Sequence, residues 1–454
     1  MKQLFINIIF CAIATVILLV APDYYSFRFC STILGLYIIQ NFLFWVTKPD
    51  KNFVCFEFFF MISFGLTNFI YPVVYYQINP VFSLFEFSFN ENLISKCTAI
   101  AFFAYTFYIL GVTQIKKVET ESSEVFFKFG EKQISILFFL TVGSFILFVI
   151  VGGLTHLQNV YSDGGDIQEV GIYSYFNNLF VVFCYLILMF VFRQKSKIKM
   201  LIFSAIVLIF IILLLMTGSR TQPLAFGLIL ITAFGINIRK LRTYEFLIIL
   251  AVGISVMSFV VLARTSNISK NSWMEVAKDN IDFTSYFDVF SDLIINNRNL
   301  YVLVDYADNV QHTYFTGFIS DITSPVPGLT RFIIENSNSP PELMTSTNLP
   351  TYWEFGADSQ WGLGTNMVGD AYLAFGLPGV IFFFFFLGII IRKSRAMMNY
   401  NIYAYVIYFL FVSHSVFYSR AGILFNPRYL VWSLLIIFAF QFFSRYKYKL
   451  NYTE

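Results

Sequence analysis

Apolar residues recur along this chain in runs of roughly 17 to 25, the length at which a helix crosses the hydrocarbon layer of a bilayer. Twelve such runs begin near Leu4, Ser31, Phe53, Cys97, Ile134, Tyr173, Met200, Pro223, Phe246, Met367, Ile402 and Ile423. The third, Phe53 to Ile78, is expected to bend at Pro72. A single long stretch, Arg264 to Thr365, is hydrophilic. The pattern predicts an all-α polytopic membrane protein of about 12 transmembrane helices with one large outer loop. Nine spans fall in residues 1–263, the loop in 264–365, and three spans in 366–454.

Composition agrees with that picture. Of 454 residues, 57% are hydrophobic and 13% charged, against about 25% charged in soluble domains. The N-terminal stretch up to Ser26 has no small-x-small cleavage site and reads as a first helix that is kept. The five cysteines form no CxxC pair, and the three histidines (His156, His312, His414) are scattered, so neither a disulfide framework nor a zinc site is expected.

The net charge of +3 says less than its distribution. With the N-terminus inside, 20 of the 30 basic residues fall on the cytoplasmic face: Lys2; Lys48 and Lys51; Lys116, Lys117, Lys128 and Lys132; Arg193, Lys195, Lys197 and Lys199; Arg239, Lys240 and Arg242; Arg392, Lys393 and Arg395; Arg445, Lys447 and Lys449. Both termini are therefore expected in the cytoplasm. The acidic stretch "GGLTHLQNVYSDGGDIQEVG" falls outside, as does the 264–365 loop. That loop holds segments with apolar residues at helical spacing, expected as interfacial amphipathic helices. Its proline-rich part, "SPVPGLTRFIIENSNSPPELMTSTNLP", should be ordered by docking on the bundle. Trp273, Tyr352, Trp353 and Trp361 suit sugar stacking and interfacial anchoring equally.

Basic residues on the outer face run against the insertion rule and need a reason. Seven of them are arginines: Arg28, Arg220, Arg264, Arg298, Arg331, Arg420 and Arg428. In "TGSRTQP", Arg220 precedes a helix with Pro223 in its first turn; in "YSRAGILFNPRYLVW", Asn426 and Pro427 start a helix beside Arg428, with Arg420 just upstream. A third outward-facing helix begins after "GLGTN". Helix N-termini and guanidinium forks both favour an anion, and together they suit a phosphate or diphosphate. The competing reading is snorkelling to lipid headgroups.

At these residues the chain resembles the Wzy-type O-antigen and polysaccharide repeat-unit polymerases. The likeness rests on "TGSRTQ" after a span, the large outer loop, "GLGTNMVGDAYLAFGLPG" and "SRAGILFNPR" before the last helix. Family members typically carry a glutamate where this chain has Asp370. The resemblance implies a metal-independent glycosyltransferase without cofactor in the bacterial inner membrane. It would move a growing glycan from undecaprenyl diphosphate to an incoming lipid-linked repeat unit on the periplasmic side. The implied partners are that lipid-linked oligosaccharide, the bilayer and a chain-length regulator protein, with no nucleic acid. Arg220, Arg264, Arg298, Arg331, Arg420 and Arg428 become the substrate-binding candidates. The acceptor hydroxyl needs a general base, for which Asp370, Glu354 and His312 are the foremost candidates, ahead of Asp292, Asp321 and Asp358. Asp370 stands out as an acid about one turn into a membrane helix. Alternatives are an O-antigen ligase and, from another class, a lipid-linked oligosaccharide flippase.

Overall fold

A computed structural model describes residues 2–48, 52–77, 89–114, 131–153, 172–192, 197–216, 221–265, 288–337, 339–356, 362–424 and 426–450. Among the described residues all regular structure is helical. The helices are α1 Lys2–Leu19, α2 Phe27–Thr47, α3 Phe56–Gly65, α4 Leu93–Gln114, α5 Glu131–Ile150, α6 Ile172–Val191, α7 Lys197–Met216, α8 Thr221–Asn237 and α9 Thr243–Thr265. From the hydrophilic stretch come α10 Asp288–Ile295, α11 Asn297–Asn309, α12 Ile319–Thr323, α13 Leu329–Asn336 and α14 Leu349–Phe355. The chain closes with α15 Met367–Met397, α16 Ile402–His414 and α17 Pro427–Leu450.

Among the described residues, six helices are long and apolar enough to cross a membrane: α2, α3 with its continuation to Tyr75, α4, α5, α6 and α15. Shorter apolar helices stand at the other predicted positions. The last begins at Pro427 rather than near Ile423, because proline at a helix start forfeits no backbone bond. The disturbance expected at Pro72 is a π-helical continuation of α3, Leu66–Tyr75. Tyr76 N–H bonds back to Tyr71 O, five residues away, and Tyr25 OH donates to Pro72 O at 2.8 Å. Widening the turn accommodates a residue that has no N–H to give.

Helix α4 packs against α1 and α15, while α5, α6, α8 and α16 pack in succession. Its contact with α15 is close enough to exclude side chains. A Cβ on Gly111 would lie 2.1 Å from Phe385 O, and one on Gly388 would lie 2.3 Å from Tyr108 O. Helix pairs in lipid gain little from the hydrophobic effect and depend on such backbone-to-backbone approach. We expect Gly388→Val to prevent folding of this pair, measured as loss of the monodisperse peak in detergent chromatography. An unchanged peak would contradict the contact.

The hydrophilic stretch docks more deeply than an interfacial helix would. Asn297 through Val304 of α11 are almost wholly buried, packed against α15 and α4. The proline-rich part is tied down as expected: Arg428 Nε donates to Ser324 O and Trp432 Nε1 to Pro325 O, both at 2.7 Å. The acidic 152–171 stretch lies largely outside the described residues.

Candidate functional site

Helix α15 carries the site, and it is two helices in one. Phe375 (φ −142°, ψ 18°) and Gly376 (φ 63°, ψ −150°) interrupt it. The Gly376 conformation is open essentially only to glycine. What remains from Leu377 to Met397 is roughly 30 Å of helix at ~1.5 Å per residue, enough for a crossing without Met367–Ala374. Asp370 therefore sits on the short helical segment ahead of the break at Phe375–Gly376. The 312–314 segment seals the break. Thr313 N–H donates to Leu373 O (3.0 Å), Tyr314 N–H to Ala374 O (3.1 Å), and His312 Nδ1 lies 3.2 Å from Leu373 O. These bonds satisfy carbonyls that an ending helix leaves open. His312 thus packs on the break, with its ring beside Gly376.

The short helix begins at Asn366, whose side chain accepts from Val368 N–H (2.9 Å) and Gly369 N–H (3.4 Å). Asn366 Nδ2 in turn donates to Asn68 Oδ1 (3.1 Å), while Asn296 Nδ2 donates to Thr365 O (2.8 Å) and Asn297 Nδ2 to Asn68 O (3.2 Å). This N-terminus is capped and sealed by asparagines, which leaves the "GLGTN" helix start without an open face for an anion. Arg298 lies in the same buried region, 1% exposed, near Tyr71 and Tyr301. Its guanidinium is buried within this packed layer.

Asp370 is 1% exposed. Its Oδ2 accepts the Ile423 N–H at 2.7 Å, so it holds the turn between α16 and α17. Gly422 packs closely there. A Cβ at that position would lie 3.2 Å from Asp370 Oδ2, 3.5 Å from Ser346 Oγ and 3.6 Å from Asp321 Oδ2. Three segments of the chain thus converge on one point: α12, the 345–348 turn and α15. Asp321 is half-buried, so it is the more accessible carboxylate of the two. Burial, and then the charge of Asp370, push the Asp321 carboxyl up to about 7. Ser346 is buried beside Asp370 without a well-formed hydrogen bond.

The arginines divide. Arg420 ends the Tyr418–Arg420 turn, two residues from Gly422. Arg428, in the first turn of α17, donates to Ser324 O at the end of the helix bearing Asp321 and lies over the Tyr175 and Trp432 rings. Tyr429 contacts Gln222 and donates to Asn178 Oδ1 at 3.0 Å, so the starts of α8 and α17 adjoin. Arg220 itself lies outside the described residues, directly before Thr221 of α8. The side chains of Arg264 and Asp292, and the whole of Asp358, lie outside them too. Arg331 is exposed and paired with Glu335 at 2.7 Å, both on α13. Glu354 is half-buried on α14.

Below the turn runs an apolar groove of about 440 Å³ between the long part of α15, α16 and the start of α17. Phe382, Phe383, Phe386, Phe411 and Leu430 line it, together with Ile423, Asn426 and Pro427 of the turn and the start of α17. Ile423 thus belongs to both features: its N–H is bound by Asp370 and its side chain faces the groove. Sequence reasoning singled out Asp370, Arg420 and Arg428, but not Ser346, Gly422 or the groove. No local signal joins residues so distant in sequence. Among the described residues no three His, Cys, Asp or Glu side chains are grouped to hold a metal ion.

No curated protein and no solved structure matches this chain significantly. The family model for the O-antigen polysaccharide polymerase Wzy matches residues 3–451, nearly the whole length. The chain belongs to the O-antigen polysaccharide polymerase Wzy family.

Proposed function

We propose that this protein joins lipid-linked repeat units on the outer face of the inner membrane, moving the growing glycan from undecaprenyl diphosphate to the terminal sugar of an incoming unit. The observation carrying this reading is the double role of Ile423: its N–H is held by Asp370, with Asp321 close by at Gly422, and the same residue lines the apolar groove. A polyprenyl chain is a suitable occupant of the groove, because the groove is lined by phenylalanines and reaches Asn426, which lies between Arg420 and Arg428 in sequence. The diphosphate then lies near those arginines and the adjoining starts of α8 and α17. As the acceptor oxygen bonds to the anomeric carbon, the bond from that carbon to the diphosphate oxygen breaks. The electron pair leaves with the diphosphate, where guanidinium groups stabilise the growing charge without needing a metal. The acceptor proton passes to a carboxylate. A chain-length regulator is a further proposed partner.

Deleting the gene should leave lipopolysaccharide capped with single repeat units. Unsubstituted core would indicate a ligase instead, and lipid-linked units held facing the cytoplasm would indicate a flippase.

The proposed orientation has its own test. A cysteine placed at Glu335, which is exposed on α13, should react with a membrane-impermeant maleimide in intact spheroplasts. A cysteine at Ser122, between α4 and α5, should react only after lysis. The five native cysteines are all buried, so background labelling should be low. The reverse pattern would invert the topology.

A further inference from the structure

The two carboxylates at Gly422 are not equivalent. Asp370 is sealed and has one oxygen committed to Ile423 N–H. Asp321 is half-buried, and its Oδ2 lies 3.6 Å from the same empty Cβ position at Gly422. A general base must come within hydrogen-bond reach of the proton it removes, which a sealed side chain cannot do. Resting on the polymerase reading above, we infer that Asp321 accepts the proton of the acceptor hydroxyl, and that Asp370 is its positioning residue. The O–H bond of the acceptor breaks, its proton goes to an Asp321 carboxylate oxygen, and its electron pair forms the new bond to the anomeric carbon. The diphosphate departs with the electrons of the old bond, and Asp321 later loses the proton to water. Gly422 has no side chain to stand between the acids and an approaching sugar hydroxyl.

The surroundings favour this division of labour. Helix α12 is held by Arg428 at Ser324 O, so Asp321 rides on an anchored element. Charged or titratable groups on the elements about Asp321 include Asp370 and Tyr372 on α15, Tyr418 and Arg420 on the preceding turn, Arg428 and Tyr429 on α17, and Arg331 with Glu335 on α13. Arg331 and Glu335 pair with each other, and Arg428 binds a backbone carbonyl. Asp370 is the charge that raises Asp321, after burial itself. A base near neutrality is well matched to its task.

The test uses the purified full-length protein in vesicles, given the lipid-linked oligosaccharide extracted from the deletion strain. Wild type must first make products longer than one repeat; failure there would refute the polymerase reading itself. Given that activity, Asp321→Asn should lower turnover by about 10²–10⁴-fold, the usual worth of a general base. Binding of the same lipid should be unchanged, and Asp321→Glu should restore part of the rate. Turnover in wild type should fall as pH drops through about 7. Asp370→Asn keeps an oxygen for Ile423 N–H but removes the charge, so its acid limb should shift to lower pH. Full turnover in Asp321→Asn would overturn the inference. So would a loss matched by lost binding, or an acid limb that stays in place in Asp370→Asn.

Discussion

Replacing Arg428 with alanine is expected to lower polymer formation by roughly 10²–10³-fold, the usual loss when a transition-state charge partner is removed. Two jobs meet in this side chain. Its guanidinium lies at the start of α17, where the helix dipole already favours an anion, and it ties down α12 through Ser324 O. Arg428→Lys keeps the charge but loses the planar fork and the stacking on Tyr175 and Trp432, so it should recover only part of the rate. The comparison is made at equal membrane abundance, with turnover and lipid binding measured separately. If alanine leaves turnover intact, Arg428 is a structural strap alone.

Removing Glu57 should cost the fold about 3–5 kcal/mol, because it would strand two buried cations. Glu57 Oε1 lies 3.0 Å from Arg395 Nη1 and 3.7 Å from Lys48 Nζ, and its side chain is 1% exposed. This cluster staples the start of α3 to the end of α15 and to the residue after α2. Lys48 also stands over the Trp45 ring at 4.2 Å. Glu57→Gln should collapse the yield and lower the melting temperature in detergent. Glu57→Gln combined with Lys48→Met should recover part of the loss, since one stranded charge is gone. A melting temperature equal to wild type would show that water reaches the cluster.

Much of the helical framework was legible because bilayer thickness fixes run length, and runs are local. The helix start after "GLGTN", the proline start of α17 and the disturbance at Pro72 could all be read from a few neighbouring residues. The break at Phe375–Gly376 escaped notice. "AFGLPG" keeps the hydropathy of a continuous span, and only the backbone angles reveal two helices. Asp370 attracted attention because an acid in an apolar run is costly. Its true setting depends on Ile423, Gly422 and Asp321, each about fifty residues away in sequence. Periodicity and composition carry no information about such meetings. The same limit hid the burial of Arg298: it lies in a hydrophilic stretch, yet α11 packs against α4 and α15.

The most direct test of the central claim is the reaction itself. Purified protein in vesicles is supplied with a single lipid-linked repeat unit and no other acceptor. Mass spectrometry then follows the lipid-linked products. The account predicts a two-repeat glycan on one carrier, with one equivalent of undecaprenyl diphosphate released for each bond formed. Product formation only when a lipid A core is added, or movement of the lipid across the bilayer without a new glycosidic bond, would contradict it.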